Sequence, residues 1–175
     1  MVQSVINFKA ITVSLFSAIV FCLFFFQNPL TVDEEQIQII QNIYSEAKEE
    51  NILLNRHTIK YEPWMDQLWD EENLTAAGIG LCSFNDSNFR QAYNSLQFSL
   101  KSLEKKQILQ KTIGDKIRVV KKEKNVRFIS EAIFIDNYAF SFVRIAGEKS
   151  VHIQMKKENG KWAYKCGMPL EFTLN

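Results

Sequence analysis

An uncharged apolar stretch near the amino terminus, residues 10–26, constrains this 175-residue chain more than any other feature. Its 17 residues contain only three polar side chains, Thr12, Ser14 and Ser17. A helix that lies against a soluble core needs a polar stripe on its outer side, and this stretch has none. Together with the apolar residues on either side, up to Leu30, the span approaches the ~20 residues that cross a hydrocarbon core. The stretch therefore predicts a membrane helix or a secretory signal.

The residues that end this stretch favour an anchor that is not cleaved. A signal peptidase requires small residues before its cleavage site, and here three consecutive phenylalanines, residues 24–26, occupy that place. Cys22 follows another phenylalanine and so lacks the small residues that precede a lipidated cysteine. Lys9 lies before the span and indicates a cytoplasmic amino terminus. We therefore predict a transmembrane signal anchor in the cell membrane over residues 1–30, and a single periplasmic or extracellular domain over residues 31–175.

Hydrophobic spacing predicts two main helices in this domain. Residues 31–34 have the form of a capping box, in which a Thr and a Glu side chain each pair with a free backbone N–H at a helix start. Apolar residues at three- and four-residue intervals then predict a helix over about residues 32–51. The same spacing predicts a second helix from cap candidates at residues 85–87 to about Gln110. Between the two, a proline at the first position favours a short helix over residues 63–71.

After Gly114 the chain changes to short segments rich in β-branched and aromatic residues, separated by turn residues. Residues 137–146 are apolar at both alternating sets of positions, which predicts a central strand covered on both faces. Residues 151–156 alternate between apolar and polar, which predicts one buried and one wet face. Asn159 and Gly160 predict a two-residue hairpin turn with positive φ at both positions. We therefore predict an α+β fold, in which the helices pack on an antiparallel sheet of four or five strands.

Charge is unevenly distributed, although the formal net charge is only +1. Residues 33–72 hold 11 acidic and three basic side chains, whereas residues 101–127 hold ten basic and three acidic ones. The small net charge gives the molecule no general attraction to nucleic acid or acidic lipid. The two segments indicate either solvated faces that attract each other within the fold, or a charged face for a partner.

Three cysteines are present, and the compartment decides how they pair. In an oxidising extracytoplasmic space Cys82 and Cys166 form a candidate disulfide, while Cys22 stays within the membrane span. The alternative is a pair of buried free thiols. The chain lacks the close cysteine and histidine spacing of a metal site, and it contains no nucleotide-binding or nucleophile motif. We therefore predict no metal, no cofactor and no small-molecule ligand.

The remaining candidates for chemistry are two histidines and an acidic segment. His57 and His152 are the only histidines of the chain, and neither belongs to a recognisable catalytic motif. His152 falls on the wet face of its predicted strand and is expected at the surface. Asp66, Asp70 and Glu71 lie at helical spacing and supply the paired carboxylates that acid and base catalysis requires. A solvated helix face accounts for the same residues, so no catalytic residue is assigned.

The predicted strands between residues 127 and 166 contain a recognisable pattern of residues. Its members are Phe128, Ser130, Ile133 and Phe134, then Asp136, Tyr138 and Ala139, and finally Gly160, Lys161 and Trp162. The pattern resembles the carboxy-terminal part of uncharacterised bacterial cell-envelope proteins, in which an F-x-S-x-P-I-F strand precedes a Tyr-Ala strand and a final G-K-W strand. Ala132 stands where proline is usual. The resemblance implies a cell-envelope location and a β-meander, and it implies no activity.

These features predict a single-pass, non-enzymatic membrane protein whose small extracytoplasmic domain binds another protein. Its expected partners are the membrane, through the amino-terminal helix, and a protein. Nucleic acid is not an expected partner. Two alternatives stay open. One is an immunity-type protein that neutralises a toxin, and the other is a hydrolase of envelope polymers that uses Asp66 and Asp70.

Overall fold

The computed structural model of the protein describes residues 30–45, 49, 51–69 and 87–170. Within these residues there are three α-helices, namely α1 (Glu34–Ser45), α2 (Ser87–Ser99) and α3 (Gln110–Ile113). Two 3-10 helices span Pro63–Trp69 and Leu100–Ser102. The strands are β1 (Ile52–Asn55), β2 (Ile117–Val120), β3 (Arg127–Ile129), β4 (Ile133–Ile135), β5 (Tyr138–Ile145), β6 (Glu148–Lys156) and β7 (Trp162–Pro169).

The described strands form one seven-strand mixed sheet in the order β2-β1-β3-β5-β6-β7, and β4 also pairs with β5. β1 runs parallel to β2 and β3, and the other pairs are antiparallel. The α+β class is confirmed, but the prediction of a purely antiparallel sheet with four or five strands is wrong. The predicted strand over residues 125–135 divides into β3 and β4, and β1 was not predicted. Parallel β1 and β2 are joined by a long connection that carries helices, as a parallel pair requires.

Helices cover both faces of the sheet. On one face, Phe140 and Phe142 of β5 pack in a cluster with Met65 of the 3-10 helix and Phe89 of α2. On the other face, Val143 of β5 packs in a second cluster with side chains of α1, α3 and β1. The first six residues of β5 are all buried, so the predicted central strand covered on both faces is confirmed. A side chain therefore reaches solvent mainly at the ends and edges of the sheet.

The predicted wet face of β6 is wrong at its centre. Gln154 has no exposed surface, whereas Met155, predicted to be buried, is 38% exposed. The cause is α1, which covers this face: Gln154 Nε2 donates to the carbonyl of Ile39 at 2.7 Å, and its Oε1 accepts from Asn42 at 2.9 Å. A register shift between Ile153 and Gln154 accompanies the change. In the sequence, alternating apolar and polar residues show that one face of the strand is polar. They do not show whether water or the polar groups of a covering helix form the hydrogen bonds on that face.

Both main helices are shorter than predicted. α1 begins at Glu34, and Asp33 rather than Thr31 caps it, because Asp33 Oδ1 accepts from the N–H of Gln36 at 2.8 Å. Thr31 instead forms a bridge with Gln107. α2 ends at Ser99 and continues only as the 3-10 turn to Ser102. The predicted helix over residues 63–71 is a 3-10 helix in its described part.

Two turns differ from the sequence prediction. The loop at Asn159 and Gly160 has positive φ only at Gly160, and the N–H of Lys157 donates to the carbonyl of Lys161 at 2.9 Å. This is a three-residue loop instead of the predicted two-residue turn. A two-residue turn does join β5 to β6, where Ala146 and Gly147 have φ of 47° and 100°.

Some predictions fall on other parts of the chain. The apolar stretch over residues 10–26, Asp70, Glu71 and Cys82 lie outside the described residues. Among the described helices, none has the length and apolar character needed to cross a membrane.

Candidate functional site

A cleft of about 380 Å³ opens where β1 ends and the chain turns toward the 3-10 helix. Separate parts of the chain contribute its described charged side chains and histidine. These residues are His57, Lys60, Glu62, Lys105, Lys121 and Arg144. The aromatic ring of Phe128 also lines it. Among the described lining residues, four cations against one carboxylate make the cleft basic, and we name it the basic cleft.

The segment that follows β1 is held on both sides by backbone hydrogen bonds. The N–H of Arg56 donates to the carbonyl of Val120 at 2.8 Å, and the carbonyl of Arg56 accepts from Ile108 at 2.7 Å. Asn55 Oδ1 accepts from the N–H of His57 at 3.0 Å, which is an Asx turn. These bonds fix the direction of the backbone at His57, and with it the place of the imidazole in the cleft wall.

Thr58 fixes the neighbouring wall. Its buried hydroxyl Oγ1 accepts from the N–H of Lys106 at 2.8 Å and donates to the carbonyl of Glu104 at 3.1 Å. The N–H of Thr58 also donates to the carbonyl of Lys106 at 2.9 Å. Lys105 lies between the two residues that Thr58 holds, so its backbone is fixed while its side chain extends along the cleft.

Arg144 is the most constrained cation of the basic cleft. Its Nη1 lies 2.7 Å from Glu62 Oε2, and its guanidinium lies 4.9 Å from the ring centroid of Phe128. Trp64 Nε1 donates to the same Glu62 oxygen at 2.5 Å. Two donors of the protein therefore already engage Glu62, the one carboxylate among the described residues that line the cleft.

The other three cations that line the basic cleft differ from Arg144, which has an ion pair with Glu62. Within the described residues, Lys60, Lys105 and Lys121 form no ion pair, and all three are exposed. Burial and the nearby charges of Lys105, Arg56 and Lys121 lower the pKa of His57. The imidazole is therefore neutral near pH 7, because an ordinary histidine already loses its proton at about pH 6.5. This arrangement favours an anion in the cleft.

The basic segment predicted from the sequence is thus only partly a surface patch. Lys106 pairs with Glu131, Arg118 with Glu123, and Arg127 with Glu49. Glu35 and Glu62 of the acidic segment pair with Lys156 and Arg144, which lie beyond the basic segment. Of the ten basic residues between positions 101 and 127, only Lys105 and Lys121 line the basic cleft.

The structure separates the other predicted site residues from this cleft. Asp66 is exposed on the 3-10 helix and accepts from the hydroxyl of Tyr61 at 2.5 Å. Its predicted partner Asp70 lies outside the described residues. Cys166 is disulfide-bonded, and the pairing with Cys82 stays a prediction because Cys82 also lies outside them. The described residues contain no group of three His, Cys, Asp or Glu side chains that would hold a metal.

His152 was predicted at the surface, and the structure places it there only in part, because the side chain is half-buried. Its Nε2 lies 2.9 Å from Ser150 Oγ, and its Nδ1 lies 3.3 Å from the hydroxyl of Tyr164. Burial, with a smaller effect from the charge of Arg127, lowers its pKa to about 4. Gly167 leaves room for this pair, since a Cβ there would lie 2.5 Å from the Tyr164 oxygen. His152 therefore has a role in packing between strands.

Sequence spacing gave no direct indication of the basic cleft. His57, Lys60 and Arg144 are far from the basic segment in sequence, and Phe128 was part of a strand pattern. The one indication was the excess of lysine between positions 101 and 127.

Comparison of the chain with family models, curated proteins and solved structures finds no match.

Proposed function

We propose that the protein is a single-pass, membrane-anchored binding protein whose extracytoplasmic domain, residues 31–175, holds an acidic segment of a partner protein in the basic cleft. The observation that carries the proposal is the convergence of Lys60, Lys105 and Lys121, which lack an internal ion pair within the described residues, around one cleft. The anchor, the compartment and the resemblance of the carboxy-terminal strands to cell-envelope proteins enter the proposal from the sequence alone.

The electrostatics of the basic cleft support an anionic occupant. Like charges that share a small volume repel one another, and a carboxylate between them replaces repulsion by attraction. Each exposed lysine adds about 0.2–1 kcal/mol to such binding, because solvent and salt screen it. Arg144 adds a cation that is already oriented by Glu62 and Phe128. The interaction is therefore expected to be moderate in affinity, and to weaken as salt shortens the Debye length to about 8 Å or less.

The makeup of the basic cleft supports binding over catalysis. Acid and base catalysis by an imidazole such as that of His57 usually needs a second group, often a carboxylate, that orients the ring or exchanges the second proton. Among the described lining residues the one carboxylate is Glu62, and it already accepts from Arg144 and Trp64. Exposed lysines on a rigid wall suit the recognition of charge, which steers association and selects partners.

The test is photo-crosslinking of the full-length protein in its own membranes. A photoreactive residue replaces Lys122, which is exposed and adjoins the cleft residue Lys121, in three backgrounds. The first is otherwise wild type. The second carries Lys60→Gln, Lys105→Gln and Lys121→Gln. The third is a matched control with three exposed lysines changed elsewhere, Lys111→Gln, Lys157→Gln and Lys161→Gln.

A discrete protein adduct is expected in the wild-type and control backgrounds, and it is expected to disappear in the cleft background and at high salt. Mass spectrometry of the adduct should place the crosslink in a segment rich in Asp and Glu. The proposal fails if no protein adduct forms, or if the cleft variant crosslinks as well as the control. The anchor is tested in the same membranes, since a protein that alkaline carbonate extracts would lack it.

A further inference from the structure

We propose that His57 takes up a proton when the basic cleft binds its acidic partner, so that binding strengthens as the pH falls from about 8 to about 6. This inference rests on the proposed function and adds to it a means of control. An anchored protein that faces the outside of a cell meets that range of pH directly.

The position of His57 carries the inference. The imidazole lines the cleft itself, and within the described residues it makes no side-chain hydrogen bond. Asn55 takes only the backbone N–H of His57, and no described residue bonds either ring nitrogen, so both can meet an occupant. The charged groups around the ring come from four places, Arg56, Lys60 and Glu62 on its own segment, Lys105, Lys121, and Arg144 on β5.

The sign of the effect follows from these neighbours. In the protein alone, burial and the surrounding cations hold the pKa of His57 below its ordinary value. A carboxylate within about 4–6 Å of the ring favours the protonated form and raises that pKa. The bound state then holds more protons than the free state in the range between the two pKa values. By linkage, a lower pH must therefore favour binding.

Two properties of the chain make this measurable. Only two histidines are present, so an NMR spectrum shows two imidazole signals in the absence of a tag. His152 is bonded to Ser150 and Tyr164 and does not line the basic cleft, so it is an internal reference in the same sample. The probe is a hexa-aspartate peptide, whose side chains stay ionised throughout because an aspartate loses its proton at about pH 3.9.

The experiment titrates the full-length protein in detergent micelles at low salt, with and without the peptide. The pKa of His57 should rise on binding while that of His152 stays unchanged. The affinity for fluorescently labelled peptide should increase about three- to tenfold between pH 7.5 and pH 6, since one unit of pKa shift corresponds to a tenfold change. His57→Gln should still bind the peptide at pH 7.5 and lose the increase at lower pH.

Three results of this experiment would contradict the proposals, and each contradicts a different part of them. If the peptide binds equally at both pH values and the His57 signal does not shift, the coupling is wrong and the cleft remains a binding site. If wild type and His57→Gln share the same pH dependence, another group takes up the proton and the inference is likewise wrong. If the peptide binds at neither pH at low salt, the proposed function fails together with the inference.

Discussion

Gln36 on α1 supplies a hydrogen-bond partner to Ala132 at the break between β3 and β4. Its Oε1 accepts from the N–H of Ala132 at 2.6 Å, and its Nε2 donates to the carbonyl of Ser130 at 3.2 Å. Gln36 is 1% exposed, so water does not replace these bonds if they are lost. One amide thus satisfies backbone groups on both sides of Glu131, where the pairing with β5 is interrupted.

Gln36→Ala should lower the free energy of unfolding by about 2–4 kcal/mol, because it leaves two buried backbone groups without a partner and opens a small cavity. Urea denaturation of the full-length protein in detergent micelles, followed by tryptophan fluorescence, measures the change. Gln41→Ala is the control, since Gln41 is exposed on the same helix and its loss should cost less than about 0.5 kcal/mol. Equal effects of the two substitutions would contradict the role given to Gln36.

Thr58→Val should both destabilise the fold and weaken the basic cleft. Valine has nearly the shape of threonine but cannot accept from Lys106 or donate to Glu104, and the part-buried N–H of Lys106 is left without its partner. A loss of about 1–3 kcal/mol is expected on this ground. Because the backbone beside Lys105 is then less constrained, affinity for the hexa-aspartate peptide should also fall by a few-fold.

Thr58→Ser keeps the hydroxyl and is the matched control for both measurements. It should retain peptide binding and lose only the small packing contribution of one methyl group, about 1 kcal/mol. The interpretation is wrong if Thr58→Val binds the peptide as wild type does.

Ala146→Gly should raise stability, although most substitutions lower it. Ala146 has φ of 47° in the turn between β5 and β6, a left-handed conformation that costs an alanine about 1 kcal/mol and a glycine nearly nothing. The expected gain is about 0.5–1 kcal/mol, measured as a higher urea midpoint with unchanged slope. Ala163→Gly, within β7, should have the opposite sign, because glycine weakens an extended strand. A loss of stability in both variants would contradict this account of the turn.

The strands that were predictable from the sequence are those with enough residues to show a pattern. β5 and β7 have eight residues each and β6 has nine, so their apolar residues stand out. β1 has only four residues, and a short apolar run of that kind does not distinguish a strand from a buried turn of helix. Without β1 the parallel pairs could not be anticipated, and the sheet was expected to be antiparallel.

The basic cleft was not predictable for a different reason. Lys60, Lys105 and Lys121 form no ion pair within the described residues, but the same is true of Lys111, Lys157 and Lys161. The cleft lysines differ because the fold brings them to one cleft, although Lys60 is far from the other two in sequence. The sequence showed an excess of basic charge, whereas the fold determines which of those charges line the same cleft.

Protonation of His152 should lower the free energy of unfolding in acid, and a single substitution separates this effect from those of other groups. Burial lowers its pKa to about 4 in the folded protein, whereas an unfolded histidine has a pKa of about 6.5. The unfolded chain therefore binds a proton first as the pH falls, so the contribution is fully present above about pH 6.5 and is lost progressively down to about pH 4. The total loss is about 3 kcal/mol at most.

His152→Gln removes this titration while it retains a polar side chain of similar length. The difference in free energy of unfolding between wild type and variant, measured in urea at several pH values from 7.5 to 4.5, should shrink or reverse as the pH falls. Other groups with shifted pKa values, such as Glu35 and His57, are present in both proteins and cancel in the difference. A difference that is constant across this range would show that the imidazole is accessible to protons in the folded state, and that the contacts with Ser150 and Tyr164 do not shield it.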